Sequence, residues 1–383
     1  MKYYLIAGEP SGDLHGSNLM KALKAEDTAA EFRFWGGDLM QQQGGTLVKH
    51  YRDLAFMGVF EVLANLRTIQ RNFKLCEHDL LAWQPDVVIL VDYPGFNLRM
   101  AEFAHNHGMK VFYYITPKIW AWNRSRVKKV KAFVDKLFTI LPFETDFYKG
   151  YGMTVDYTGN PVLDAIDNRH HKEESFEAFT ARTGLDGRPI VGLLAGSRRQ
   201  ELKLLLTTML KMVPLFPQYQ FVIAGAPSFT QTDYEPYIAG LDVKVLFGET
   251  YQIVQHARAS MVASGTATLE TALLGCPQVV CYRMGGGFLV DWLRPLVLKI
   301  PYVSLVNLVL NRAAVVELIQ KQLNESTLAL ELHRLLNDDA YHQQQVESCG
   351  ELQRLMGGPG SSDRTARLMV KYLNSWTESE GRK

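Results

Sequence analysis

Cysteine is scarce, with four in 383 residues (Cys76, Cys276, Cys281 and Cys349) and no metal-ligand spacing among them. That scatter excludes a disulfide scaffold or a zinc ribbon and predicts reduced thiols, as in a cytosolic protein. Excess charge is missing too: 41 Lys and Arg stand against 40 Asp and Glu. The broad basic footprint of a nucleic-acid binder is therefore absent, and no nucleic-acid partner is expected. No apolar run is long enough to cross a bilayer. The most apolar stretch, Phe288–Leu310, is interrupted by Asp291, Arg294, Lys299 and two prolines, so membrane association is expected to be peripheral. The opening MKYYLIAGEP is too short an apolar run for a signal peptide. Neither half begins with G-x-G-x-x-G or a Walker loop, which argues against a nicotinamide oxidoreductase or a P-loop enzyme. Short repeats and low-complexity tracts are also absent.

What remains is 47% apolar residues arranged in a regular alternation. Strand-length runs are predicted near Tyr3–Ala7, Arg33–Gly36, Thr46–Lys49, Asp86–Val91, Lys110–Ile115, Lys136–Leu141 and Val155–Thr158. A second set falls near Ile190–Ala195, Gln220–Ala224, Val243–Phe247, Ser260–Ala263 and Gln278–Tyr282. Runs such as DVVILV and KVFYYI are apolar on both faces, as parallel strands covered by helices must be. Helical segments lie between them, so doubly wound α/β sheets are expected. Polarity rises near Ala165–Phe179 and the alternation then restarts. The expected architecture is two Rossmann-like domains facing a central cleft, residues 1–165 and 166–360, with a last helix about 363–378 crossing back onto the first.

Several turns carry chemistry. In LIAGEPSGDLHG, Gly8, Gly12 and Gly16 flank a helix start, yet Glu9 and Asp13 lie in the same turn. Carboxylates would compete with phosphate at a helix N-terminus, so this loop, with Ser11 as N-cap, is built to accept hydrogen bonds from hydroxyls or to take a proton. A capped helix and a tight turn explain the same residues. In LVDYPGFN, Asp92 ends a buried strand, and Pro94-Gly95 forces a turn. An acid above the carboxyl end of a parallel sheet is a natural general base; capping the turn is the alternative. The segment Thr116–Phe133 interleaves Trp residues with Lys118, Arg124 and Arg126, which suits a local anion site or, for most of its lysines, a solvated helix face.

The second half has two strand–turn–helix starts suited to a diphosphate. GSRR carries Ser197, Arg198 and Arg199, and ASGTATLE carries Ser264, Gly265 and Thr266, with no acid read at either turn. Glu270, one turn beyond Thr266 on the same helix face, could bind ribose hydroxyls. Ordinary capping is the plainer account of each. Phe56–Leu75 is apolar and basic at helical spacing, which means core packing unless a membrane is involved.

Taken together, GEPSGD (Gly8–Asp13), LAFMGVFEVL (Leu54–Leu63), DYPGFN (Asp92–Asn97), KIWAWNRSRV (Lys118–Val127), LPFE (Leu141–Glu144), GSR (Gly196–Arg198), ASGTATLE (Ala263–Glu270) and YVSLVNLVLNR (Tyr302–Arg312) resemble the lipid-A-disaccharide synthase family, across nearly the whole chain. The resemblance implies a GT-B glycosyltransferase. It would move 2,3-diacylglucosamine from UDP to the 6-hydroxyl of 2,3-diacylglucosamine 1-phosphate with inversion, releasing UDP. It implies Asp92 as base with Glu9 or Asp13 as alternatives, and Arg198, Ser264, Gly265 and Thr266 holding the diphosphate in place of a metal. Glu270 would then bind ribose, the acceptor would meet Gly8, Ser11 and Gly12, and Asn307 would match an active-site residue. No cofactor is implied. Acylated substrates make a peripheral inner-membrane surface at Phe56–Leu75 expected, and a homodimer by exchange of C-terminal segments is allowed.

Overall fold

A computed structural model describes residues 1–54, 66–121, 124–283 and 301–380. The chain forms two compact units: Met1–Asp164 with Pro359–Lys383, and Ala165–Gly358.

The first unit holds a parallel sheet in the order β3-β2-β1-β4-β5-β6-β7. Its strands are β1 (Lys2–Ala7), β2 (Glu31–Gly36), β3 (Thr46–His50), β4 (Val87–Val91), β5 (Lys110–Tyr114), β6 (Lys136–Thr139) and β7 (Asp156–Tyr157). The second unit's order is β10-β9-β8-β11-β12-β13, from β8 (Ile190–Leu194), β9 (Gln220–Gly225), β10 (Val243–Phe247), β11 (Ala257–Ala263), β12 (Gln278–Tyr282) and β13 (Val316–Ile319). The twelve predicted strands are present, with ends shifted by up to three residues. β13 was not predicted: VELI is short and carries an acid, so it lacks the apolar run of its neighbours. The central strands are sealed on both sides, and VVILV of β4 and IVGLL of β8 are buried at every position.

One face of the first sheet packs on the opening helix Pro10–Glu26 and the closing helix Ser361–Glu380, where Leu19, Met20 and Leu23 share a core with Ala366, Met369, Val370 and Leu373. The other face is covered through Phe73, Cys76 and Leu80 of helix Leu66–Trp83 and Met100, Ala101 and Ala104 of helix Pro94–Asn106. In the second unit, Leu205, Leu206, Met209, Leu328, Leu332 and Leu335 cover one face, and Phe179 and Ile253 lie against the other. The four cysteines are free and buried.

Proline opens the helices at Pro10, Pro94 and Pro142, where its missing N–H costs nothing and its fixed φ suits the first turn. The expected Ser11 cap is corrected by this pattern. Glu9 occupies the cap position with extended backbone, and Ser11 lies inside the first turn, exposed. The closing helix is capped from afar. Asp164 accepts from the N–H groups of Gly360 (2.6 Å), Ser361 (3.0 Å) and Ser362 (2.9 Å) and from the Ser362 hydroxyl (2.9 Å). Among the described residues no helix is long and apolar enough to cross a membrane.

Candidate active site

In both sheets the strand order reverses direction beside the first strand, between β1 and β4 and between β8 and β11. Loops leaving the carboxyl ends of such a strand pair diverge to opposite faces and open a crevice for ligand. The candidate residues of each unit follow these four strands.

In the first unit, Ala7 is paired with Val91, so Gly8-Glu9 and Asp92-Tyr93 emerge side by side. Gly8 must lack a side chain, because a Cβ there would strike the Tyr93 ring. Asp92 and Tyr93 are both left-handed, with φ of 46° and 47°, a conformation that costs a non-glycine residue energy and needs support. The support is dense. The Asp92 carbonyl accepts from Asn97 Nδ2 (2.7 Å) and the Tyr113 hydroxyl (2.6 Å), and its N–H donates to the Tyr114 carbonyl (3.2 Å). Burial, then the neighbouring charge of Glu9, pushes the Asp92 carboxyl up to about 6, with Lys118 opposing. A carboxylate so placed is ionised at neutral pH yet basic enough to take a hydroxyl proton.

Asp13 has a different job. Its buried carboxylate accepts from the N–H groups of Gly37 (2.8 Å), Leu39 (3.1 Å) and Met40 (3.0 Å), capping the short helix Asp38–Gln42. That corrects its reading as a base or a hydroxyl-positioning group, since its lone pairs face backbone amides. Gly12 is buried against Ala7.

Glu144, the acid of LPFE, has a role that the sequence alone does not show. It is fully buried and accepts from Thr116 Oγ1 (2.8 Å), Trp120 Nε1 (3.0 Å) and the N–H groups of Ile140 (3.1 Å) and Leu141 (3.0 Å). Burial raises its pKa above the usual carboxylate value, and these hydrogen bonds pull it back down. It pins the turn Thr116–Trp120 after β5, the strand beside Asp92, and leaves Lys118 exposed between buried neighbours. The sequence signal was an acid two residues after a helix-opening proline, on a turn rich in hydrogen-bond donors.

In the second unit, Leu194 pairs with Val262, so the turns Gly196–Arg198 and Ser264–Thr266 leave adjacent strands. Ser264 is tied down, its hydroxyl donating to the Val303 carbonyl (2.7 Å) and its N–H to the Cys281 carbonyl (3.0 Å). A Cβ on Gly265 would meet open space, and Thr266 is exposed. Glu270 accepts from the Tyr251 hydroxyl (2.9 Å), and burial raises its pKa above the usual carboxylate value. The GSRR turn departs from expectation, because an acid does enter it. Glu201 accepts from the N–H groups of Ser197 (3.0 Å) and Arg198 (3.2 Å).

Asn307 is buried with its amide fully used. Nδ2 donates to the Val315 carbonyl and to Glu317 (both 2.9 Å), and Oδ1 accepts from the N–H groups of Ala314 (2.8 Å) and Val315 (2.9 Å). It presents no free polar atom to a substrate, which corrects its catalytic reading. Glu317 in turn takes the N–H groups of Val303 and Ser304 (both 2.9 Å) and the Ser304 hydroxyl (2.7 Å). The chain Asn307, Glu317, Val303, Ser264 therefore positions the second turn from behind.

Of the membrane candidate, 55–65 lies outside the described residues. In the described part Phe73 is core, stacked on Phe96 at 4.6 Å, and Arg67, Arg71 and Lys74 are exposed. Phe288–Ile300, Trp122 and Asn123 also lie outside the described residues.

Two parallel sheets of this order, each with its reversal beside the first strand, define the two-Rossmann-domain GT-B fold. Solved structures share it. The UDP-GlcNAc 2-epimerase of Neisseria meningitidis bound to UDP-GlcNAc aligns with TM-score 0.69 at 13% identity, covering 97% of this chain and all of that one. The glycotransferase of kitacinnamycin aligns with TM-score 0.64 at 12% identity, covering 97% and 98%. At such identities the likeness is one of fold. Sequence goes further: the family model described as lipid-A-disaccharide synthetase matches residues 3–367. The lipid-A-disaccharide synthases of Trichlorobacter lovleyi and Geobacter sulfurreducens are 36% and 34% identical to this chain over 376 residues, covering 96% of it and 97% and 96% of their own lengths. The chain belongs to the lipid-A-disaccharide synthase family and is a glycosyltransferase of lipid A biosynthesis.

Proposed function

We propose that the donor is UDP-2,3-diacylglucosamine and the acceptor the 6-hydroxyl of 2,3-diacylglucosamine 1-phosphate. Asp92 removes the hydroxyl proton as the oxygen attacks the anomeric carbon from the face opposite UDP. Glu9 accepts a hydrogen bond from the acceptor and, by its charge, keeps Asp92 basic. As the glycosidic bond breaks, charge grows on the leaving diphosphate. It is met by the Arg198 guanidinium and the Gly265 and Thr266 amides at the start of helix Thr266–Leu273. Glu270, on the same helix, takes the ribose. The unit Met1–Asp164 thus handles the acceptor and the unit Ala165–Gly358 the donor. Because both sugars are acylated, the protein works as a peripheral enzyme at the cytoplasmic face of the inner membrane, with Arg67, Arg71 and Lys74 suited to anionic headgroups.

The observation that carries this reading is the placement of Asp92: left-handed, braced by Asn97 and Tyr113, and raised to about 6 beside Glu9. Purified protein given both acylated sugars is expected to release UDP and form disaccharide only when both are present. UDP release at full rate without the acceptor, or a rearranged sugar nucleotide as product, would refute it.

A further inference from the structure

The turn after β8 has the makings of an anion seat and is already occupied. Gly196 takes φ of 95°, which curls the turn so that the N–H groups of Ser197 and Arg198 converge on one point. Glu201 Oε2 stands at that point, 3.0 and 3.2 Å from the two nitrogens, and a Cβ on Gly196 would collide with it. The Ser228 hydroxyl holds the turn from its other side by donating to the Ser197 carbonyl at 2.9 Å. Glu201 cannot drift easily, because the next residues, Leu202, Leu205 and Leu206, are buried in the core along a π-helical stretch. Its other oxygen is only 3.5 Å from Arg198 Nη1, and Arg198 is 67% exposed, so that guanidinium is loosely held and free to reach a ligand. Arg199 is instead engaged by Asp233 at 3.1 Å. At the neighbouring Ser264–Thr266 turn, no carboxylate takes the corresponding place among the described residues.

We propose that Glu201 is a positioning residue for the nucleotide donor. It fills the amide seat after β8 permanently, so that this turn offers a diphosphate the Arg198 side chain alone, while the diphosphate oxygens take the amides of Gly265 and Thr266. Glu201 acts through the turn it closes and touches no reacting atom. This inference rests on the UDP-donor reading above and deepens it, because it separates the two turns that the sequence made equivalent.

The test is UDP binding by calorimetry, with steady-state kinetics, on the full chain carrying Glu201→Ala or Glu201→Gln. If Glu201 positions the turn, Glu201→Ala weakens UDP and raises the donor KM about tenfold with the acceptor KM unmoved, as expected when two amides lose their partner and the turn loosens. Glu201→Gln keeps a carbonyl acceptor for both amides and is expected to stay within about threefold of wild type by the same argument. Arg198→Ala is expected to cost less in the Glu201→Ala background than in wild type, because the two act as a unit. If the carboxylate merely competes with the diphosphate for the seat, both Glu201 variants bind UDP as tightly as wild type or more tightly, and the proposal is overturned. Wild type that fails to bind UDP at all would overturn the donor reading and this inference with it.

Discussion

Asp92 is expensive to keep where it is. Its backbone is left-handed, its carboxyl is pushed up to about 6 by burial and by Glu9, and the fold spends Asn97 and Tyr113 on holding it. A base with that value predicts a rate that holds above pH 6 and falls about tenfold per unit below it, as Asp92 protonates. The steady-state pH profile checks this, and Asp92→Asn should cost on the order of 10²–10⁴ in kcat. Stability should move the other way. A carboxyl raised in the folded state contributes most below the ordinary carboxylate range, and that contribution is lost as pH rises through about 6. At pH 8, Asp92→Asn is therefore expected to melt a few degrees higher than wild type, and to lose that advantage at pH 4.5. Asn307 makes the contrasting case. Truncating its amide leaves Glu317 and the N–H groups of Ala314 and Val315 short of partners, so Asn307→Ala should destabilise by about 2–4 kcal/mol in urea unfolding. It should also raise the donor KM through Ser264.

At the scale of elements, what the sequence made legible follows from the range of the interaction. DVVILV and KVFYYI announced central strands because burial on both faces leaves an unbroken apolar run. Asp92 was legible because it ends such a run, and a strand end is local information. The Asp13 bonds to residues 37–40, the Glu144 bond to Thr116 and the Asn307 contacts with Ala314–Glu317 cross turns whose shape no local pattern encodes. Those carboxylates and amides could be seen, but not what they face. Glu201 was a closer miss, since an acid three residues beyond the start of a helix is a known capping pattern. The clamp of Asp164 on Gly360–Ser362 is the longest-range case and makes its own prediction. Asp164→Ala strips the closing helix of its cap, which should cost about 2 kcal/mol. Hydrogen exchange should accelerate over 359–376 well before it does in β4 or β5.

For the whole molecule, the proposed reaction divides between two units of the same architecture, with proton removal in Met1–Asp164 and the leaving group in Ala165–Gly358. The loops after β1 and β4 carry Glu9 and Asp92, and those after β8 and β11 carry Arg198 and the helix start at Thr266. That distinction was visible in the sequence as acids in one glycine turn and arginines in another, and Glu201 sharpens it by closing the amides of Ser197 and Arg198, which leaves those of Gly265 and Thr266 for the diphosphate. The most direct test separates binding from turnover in a single pair of variants. With UDP titrated by calorimetry and disaccharide followed from both acylated sugars, Asp92→Asn should bind UDP as wild type does and form almost no disaccharide. Arg198→Ala should lose most UDP affinity. An Asp92→Asn enzyme that turns over at the wild-type rate, or one that loses UDP binding as severely as Arg198→Ala, would contradict the division of labour between the two units.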